Sequence, residues 1–180
     1  MRHPTKTCGY CAYQLEQFLR SGIRFYQDLG GRVMSYDGDR LVMEAPLTTN
    51  AASCGSVFAG SIGSLLMICG FGLVYLKLKE IDYDARVMLG RCTLSHESEV
   101  RTKWQVYCEL APRLDSDRFR QTLLRDGMMN LRVRGGIECG AKTVVTFEGI
   151  YAVREVAEAN KGSRGLWSAR DVRNRRVKML

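Results

Sequence analysis

The sequence predicts an α+β domain in which one long apolar helix lies at the centre and a curled antiparallel sheet wraps around it. Three observations support this prediction. No charged residue occurs between Glu44 and Lys77, so a helix inside this span is apolar on every face. Segments of strand-like sequence stand on both sides of the span, in sufficient number to cover it. The chain has 180 residues, which is the size of one ordinary domain.

The N-terminal quarter predicts one short helix and one hairpin. Residues 11–21 carry apolar side chains at helical spacing, with charged and amide side chains on the opposite side. Two β-prone segments, 32–36 and 40–45, flank the sequence Asp37-Gly38-Asp39, and an Asp-Gly pair between such segments is a strong hairpin signal. Pro46 ends the second strand, and a polar loop then leads to the long helix.

The central helix is predicted over about residues 58–79. Residues 57–76 are long enough and apolar enough to span a membrane, so a membrane helix is the alternative. Two observations favour a core helix. Glycine and serine residues dilute the hydrophobicity of the segment, and the strand-like sequence that follows needs a helix as its core. Small residues also let a sheet approach closely and leave room for a ligand. We therefore expect no membrane span.

After this helix the sequence predicts two pairs of strands with one short helix between them. Asp115 is a good N-cap for the short helix, which continues to Leu124, and Gly127 ends it. One buried helix with five or six strands around it is the arrangement of the hot-dog fold. A curled sheet of this kind has an open edge, so we expect at least a homodimer, with a tetramer left open. The four later strands are predicted at residues 86–94, 100–110, 131–139 and 142–153.

The net charge of +8 is concentrated at the C-terminus. Residues 161–180 contain seven basic residues and one acid, so a charge of +6 lies in this tail and +2 in residues 1–160. We predict one domain over residues 1–160 and a separate basic tail. The near-neutral body argues against nucleic acid as a partner. Three states are open for the tail: solvated and disordered, bound to an anion such as the CoA phosphates or an acidic lipid surface, or in contact with nucleic acid.

The seven cysteines and two histidines form no recognisable metal or disulfide pattern. Several cysteines stand among apolar residues, where a reduced thiol behaves as a small hydrophobic side chain. A single CxxC motif at residues 8–11 lacks the further ligands that a zinc site requires. We expect reduced thiols, no metal and, since the first residues include no signal-like apolar segment, a cytoplasmic protein.

Four short motifs around the central helix carry a resemblance to a known family. They are Ala45-Pro46-Leu47, Asn50, Gly55-Ser56-Val57-Phe58-Ala59-Gly60-Ser61 and Gly70-Phe71-Gly72-Leu73-Val74-Tyr75-Leu76. In these motifs the sequence resembles the C-terminal-domain family of YiiD, bacterial hot-dog proteins described as thioesterases. In that family the stretch looks like A-P-L-x-x-N-x-N-H-x-G-T-x-F-x-G-S, followed by G-W-G-L-V. The resemblance covers about residues 11–155.

The resemblance implies hydrolysis of an acyl-CoA or acyl-carrier thioester at the N-terminus of the central helix, across a dimer interface and with no cofactor. The N–H groups of Ala59, Gly60 and Ser61 would hold the thioester carbonyl and the oxyanion that forms on attack. Asn50 would orient a water or the carbonyl, or would cap the turn before the helix, and both roles are open. The acyl chain would run along the helix toward Gly70. Further substrate contacts are expected from Ser56, Phe58, Ser64, Met67 and His96.

The sequence departs from the family pattern where a catalytic base is expected. The second Asn of the motif is Ala52 here, and its His is Ser53. Ser53 keeps the catalytic position, but a serine hydroxyl cannot serve as a base. The turn with His96, Glu97 and Glu99 either supplies a base from a partner subunit or is simply solvated. We therefore predict weak or absent hydrolysis with acyl-CoA binding retained. A non-hydrolytic acyl-CoA-binding or scaffold protein is the alternative function.

Overall fold

The computed structural model describes residues 8–139 and 142–155, with side chains from Tyr10 onward. The described residues form five helices and six strands. In chain order these are α1 (Cys8–Gly22), α2 (Arg24–Asp28), β1 (Arg32–Tyr36), β2 (Arg40–Ala45), α3 (Leu47–Asn50), α4 (Ala59–Glu80), β3 (Ala85–His96), β4 (Trp104–Leu110), α5 (Ser116–Asp126), β5 (Met128–Cys139) and β6 (Lys142–Glu155). The predicted basic tail, residues 161–180, lies outside the described residues.

The six strands form one antiparallel sheet in the order β1-β2-β4-β5-β6-β3. The β1–β2 hairpin has the predicted bounds because its turn is stabilised locally. The Asp37 carboxylate accepts the backbone N–H groups of Asp39 at 2.9 Å and Arg40 at 2.7 Å, and Gly38 has φ 98°. A residue with a Cβ rarely adopts that φ, so the Asp-Gly signal specifies the turn.

Helix α4 lies in the curl of the sheet and contacts β2, β3, β4, β5 and β6. By length and composition alone it could cross a membrane, but 72% of its most apolar 18-residue window is buried inside the fold. This burial is typical of the core helix of a soluble protein. The predicted α+β hot-dog arrangement is therefore confirmed, and the cytoplasmic location stays a prediction.

The C-terminal end of α4 is tied to the hairpin by hydrogen bonds from two buried residues to one carboxylate at the surface. The Lys77 ammonium is only 7% exposed and donates to the Glu80 carboxylate at 3.0 Å. The same carboxylate accepts the hydroxyl of Tyr36, which ends β1. Burial and the hydrogen bond to Glu80 raise the pKa of Tyr36, which keeps its hydroxyl protonated as the donor.

The predicted start of β4 differs from the structure by four residues. The strand predicted from residue 100 begins at Trp104, because the Val100 carbonyl accepts the N–H of Val57 at 2.7 Å and holds residues 100–103 as a loop beside α4. Two short helices, α2 and α3, were not predicted. The predicted cap at Asp115 is confirmed, since its carboxylate accepts the N–H of Arg118 at 2.8 Å.

Candidate functional site

Asn50 closes the loop that leads into α4. Its side chain is buried, and Nδ2 donates to the carbonyls of Leu29 at 2.9 Å and Pro46 at 2.8 Å and to the Thr49 hydroxyl at 3.0 Å. Its backbone carbonyl accepts the N–H of Phe58 at 2.8 Å. These bonds favour a role in shaping the loop. The other atom of the amide, Oδ1, has no hydrogen-bond partner among the described residues. It is therefore the atom left to orient a water.

The start of α4 leaves two backbone amides without an acceptor among the described residues. The Phe58 carbonyl accepts the N–H of Ser61 at 3.0 Å and the N–H of Ile62 at 3.2 Å. The amides of Ala59 and Gly60 make no such bond, both residues are exposed, and no side chain caps the helix. The expectation that Ser61 is a third amide donor is therefore corrected, because its N–H is already engaged within the first turn.

Phe58 stands over these amides. Its ring is 58% exposed, and it packs so closely on Gly60 that an added Cβ there would lie 3.1 Å from ring atoms Cδ1 and Cζ, with Cε1 closer still. Because the ring is largely in solvent, it is free to rotate away from Gly60. The predicted substrate contact at Phe58 thus lies beside the two available donors.

An open stripe continues along α4 from this end. Gly60, Ser64, Met67 and Phe71 recur at helical spacing and are exposed or half-buried, whereas most of the helix is buried. The ring of Phe71 stacks on that of Phe18, with centroids 6.3 Å apart. Apart from Ser64 the stripe is apolar, and it ends at an aromatic stack.

The predicted direction of the acyl chain toward Gly70 is wrong. The buried ring of Tyr151 covers Gly70, so that a Cβ there would lie 2.7 Å from its Cζ. The Tyr151 hydroxyl also donates to the Met67 carbonyl at 2.8 Å, which fixes the ring in place. The ring of Tyr151 occupies the space beside Gly70, and the open surface leads from Met67 to Phe71 instead.

Ser53 lies exposed in a tight turn before the helix. The Gly55 N–H donates to the Ala52 carbonyl at 2.9 Å, and Gly55 has φ 78°. The neighbouring Cys54 Sγ lies 3.0 Å from the hydroxyl of buried Ser56. The hydrogen bonds from Ser56 lower the pKa of the exposed Cys54 thiol. The predicted residue Ser56 therefore faces Cys54.

Arg101 joins the turn after β3 to this loop, and sequence reasoning missed it. Its Nη1 donates to the Cys54 carbonyl at 2.9 Å, and its Nε and Nη2 donate to the Glu99 carboxylate at 2.9 and 2.5 Å. The only feature of the sequence that pointed to this role was a basic residue two positions after Glu99. It lay in a segment that was predicted to be a strand, so a contact with the loop was not expected. The bonds bring Glu99 next to the loop within one chain.

His96 ends β3 near the same end of the helix. It pairs with Val145, whose side chain is in the core, so His96 shares the face of β3 that looks toward α4. On that face, two residues earlier, Leu94 lies against Gly63, with 3.3 Å between a Cβ placed there and Leu94 Cδ2. The imidazole is exposed. The turn that begins at His96 also contains Glu99, which Arg101 links to the loop before α4.

Comparison with solved structures supports the fold. The chain is similar to a structure from Shewanella oneidensis described as a "putative thioesterase", with 22% identity, 82% of this chain and 99% of that chain covered, and a TM-score of 0.72. It is also similar to a protein of unknown function from Chlorobaculum tepidum, with 24% identity, 81% and 94% covered, and a TM-score of 0.73. A Pseudomonas aeruginosa protein described as a "Probable Thioesterase" has 20% identity, 87% and 99% covered, and a TM-score of 0.61.

A family model covers most of the described part of the chain. It carries the description "Putative thioesterase (yiiD_Cterm)" and matches residues 12–155. The match includes the loop closed by Asn50, the two exposed amides of α4 and the complete six-stranded sheet. With its hot-dog fold, this chain belongs to the YiiD C-terminal family of thioesterases.

Proposed function

We propose that the protein binds acyl-CoA or acyl-carrier thioesters at the N-terminus of α4 and hydrolyses them there slowly. The observation that carries the proposal is the pair of exposed amides at Ala59 and Gly60, which opens onto an apolar stripe. The first amides of a helix have no intrahelical partner and stand at the positive end of its dipole. A thioester carbonyl placed there accepts both hydrogen bonds.

The same two donors suit the reaction. Attack of water on the carbonyl carbon places negative charge on the carbonyl oxygen, and preorganised N–H groups stabilise that oxyanion more than the ground state. Collapse of the intermediate breaks the carbon–sulfur bond, and the thiolate leaves and takes a proton. Gly60 allows close approach of the carbonyl to the backbone, and the Phe58 ring can cover the bound group.

A second copy of the chain would enclose the acyl group. β3 is an edge strand, and its 12 residues make ladder bonds on one side only, to β6. Its α4-facing apolar residues are only half-buried, as is much of the α4 stripe. Pairing β3 with its copy would satisfy the edge and cover both surfaces. A homodimer is therefore part of the proposal, and sedimentation at micromolar concentration tests it. The half-buried residues of β3 are Val87, Leu89, Cys92 and Leu94.

A specific observation also supports the non-hydrolytic alternative. The loop residue at the family's His position, Ser53, is exposed and cannot act as a base, and the Asn50 amide is largely consumed by loop contacts. A base would have to come from His96 or Glu99, and the Glu99 carboxylate is engaged by Arg101. Binding without efficient turnover fits this arrangement.

The two functions are separated by measuring thiol release from a panel of acyl-CoAs alongside thermal-shift binding on the same panel. We expect binding with slow release. A His96→Gln variant should lower any release while binding persists, and Glu97→Gln, in the same exposed turn, is the matched control. Neither binding nor release on any thioester, in a protein shown to be dimeric, would refute the proposal.

Restoring the family residues tests the oxyanion site directly. The double change Ala52→Asn and Ser53→His should raise hydrolysis by about tenfold or more, since general-base help is typically worth about 10²–10⁴-fold. Asn50→Ala in that background should lower the rate again. If the double variant is folded and gains nothing, the amides of Ala59 and Gly60 do not hold the reacting carbonyl.

A further inference from the structure

The outer face of the sheet, which looks away from α4, is divided into two electrostatically different halves. On the half formed by β2 and β4, charges are paired. Arg40 lies 2.9 Å from both Glu109 and Glu138, and Lys103 lies 3.1 Å from Glu44. This half carries no excess of positive charge.

The half formed by β5, β6 and β3 is strongly basic, and we call it the arginine face. Its outward positions carry five arginines and two acids, Glu138 and Glu148, for a net charge of +3. Glu138 is engaged by Arg40 of the neighbouring half. Glu148 lies 3.2 Å from Arg134 and 3.9 Å from Arg132. Glu155, at the end of β6, is opposite Ala85, whose side chain is in the core. Opposed residues share a face of the sheet, so Glu155 does not belong to the outward face. The five arginines are Arg86, Arg91, Arg132, Arg134 and Arg154.

Three of these arginines have no ion-pair partner among residues 8–139 and 142–155: Arg86, Arg91 and Arg154. All three are exposed. Arg86 and Arg154 are directly opposite each other in the β3–β6 ladder. Like charges at opposed positions of a sheet repel each other, so an anion placed between them would relieve a cost that the folded chain carries alone.

Apolar side chains stand in the same cross-strand rows as the arginines. Met88 is 58% exposed and Met128 is 48% exposed, and Met128 is opposite Arg154. Ile150 is half-buried between Arg132 on one side and Arg91 on the other. The arginine face therefore offers positive charge and flexible apolar groups together, on one nearly continuous surface.

We propose that the arginine face docks on an anionic lipid surface. Guanidinium groups pair with phosphodiester headgroups, and the exposed methionine side chains enter the boundary between headgroups and acyl chains. Nucleic acid would match the charge alone, since the outward positions of β5, β6 and β3 in the described ranges hold no aromatic side chain for base stacking. A second copy of the face is excluded as the occupant by its like charge. The proposal does not depend on the thioesterase activity.

The test is co-sedimentation of the full-length protein with vesicles of phosphatidylcholine alone and of equimolar phosphatidylcholine and phosphatidylglycerol. The variant is Arg86→Gln, Arg91→Gln and Arg154→Gln combined. The matched control removes three exposed, unpaired arginines elsewhere in the described chain, Arg24→Gln, Arg118→Gln and Arg120→Gln. Both triple variants have the same net charge and keep the basic tail, so the tail and the overall charge cancel in the comparison.

We expect binding to the anionic vesicles and not to the neutral ones. The face variant should bind about 10- to 100-fold more weakly than the control variant, since each arginine near an anionic surface adds severalfold to the affinity. Met88→Ser with Met128→Ser should make the remaining binding more sensitive to salt. Equal loss in both triple variants, or no anionic binding by the native protein, would overturn the proposal. So would RNA binding that depends on the face without any vesicle binding. Unchanged melting temperatures show that the variants are folded.

Discussion

Two glycines of α4 lie beneath aromatic rings, and they differ in what the ring can do. At Gly60 the ring belongs to Phe58, which is 58% exposed and has no hydrogen bond to hold it. At Gly70 the ring belongs to Tyr151, which is 1% exposed and whose hydroxyl donates to the Met67 carbonyl. One contact can open and the other cannot.

The difference separates the two ends of the helix by how tightly they are covered. Around Gly70 the missing side chain lets the sheet approach the helix, so the glycine is part of the core. Around Gly60 the amides of Ala59 and Gly60 have no acceptor among the described residues, and we propose that this surface receives the ligand. The same residue type therefore allows close packing in the core near Gly70 and lies on the surface, beside unpaired N–H donors, at Gly60.

The largest expected effect is a difference in stability between substitutions at a buried and at an exposed position of α4. Leu73 is fully buried, whereas Met67 is 36% exposed on the open stripe. Leu73→Ala should lower the free energy of unfolding by about 2–5 kcal/mol because it leaves a cavity. Met67→Ala should have a much smaller effect. Urea denaturation of the two variants measures both. Similar losses would show that the stripe is packed as tightly as the core, which would happen if a partner subunit covers it.

Gly70→Ala should have the next largest effect. The added Cβ would lie 2.7 Å from Tyr151 Cζ in a core where the ring has no space to move. Overpacking of this kind costs about 1–3 kcal/mol, and a gain of up to about 1 kcal/mol from replacing a helical glycine offsets only part of it. Thermal unfolding should show a lower melting temperature than for the native protein. A rise in melting temperature would mean that Tyr151 does not cover Gly70.

Tyr151→Phe should have a smaller effect and should interact with Gly70→Ala. Removing the hydroxyl deletes one buried hydrogen bond, which costs about 1 kcal/mol, and also removes the atom nearest to the new Cβ. The double variant should therefore be more stable than the sum of the two single losses predicts. Chemical denaturation of all four proteins completes the cycle. Strict additivity would place the two residues out of contact.

Where local signals decide the structure, the sequence was sufficient. Residues 32–36 and 40–45 are strands with the predicted bounds because the Asp37-Gly38 turn specifies the hairpin. Helix α4 was predicted correctly because no charged residue occurs between Glu44 and Lys77. The start of β4 at Trp104 could not be read in this way, because it depends on a hydrogen bond between Val57 and Val100, which are far apart in sequence.

The candidate site was only partly predictable for the same reason. The helix end and the exposed amides of Ala59 and Gly60 followed from the position of α4. The engagement of the Ser61 N–H depends on the geometry of the first turn, and the bond from Arg101 to the Cys54 carbonyl joins residues 47 positions apart. Likewise, only the packing of Tyr151 shows that the acyl path cannot pass Gly70.

Gly60→Ala should have the smallest effect on stability and a clear effect on the ligand. The exposed Phe58 ring can rotate away from the new Cβ, so the free energy of unfolding should change by less than about 1 kcal/mol. The Cβ and the displaced ring then stand beside the amides of Ala59 and Gly60, and a thioester carbonyl can no longer reach both N–H groups. Since losing one oxyanion donor typically reduces the rate by about 10²–10³-fold, we expect at least a tenfold drop in thiol release, or in acyl-CoA affinity if turnover is too slow to measure. Gly63→Ala is the matched control, because Gly63 is in the same helix but is covered by Leu94 of β3. This variant should leave the ligand response unchanged. If Gly60→Ala binds and hydrolyses as the native protein does, the open end of α4 is not where the carbonyl is held, and the functional contrast between the two glycines fails.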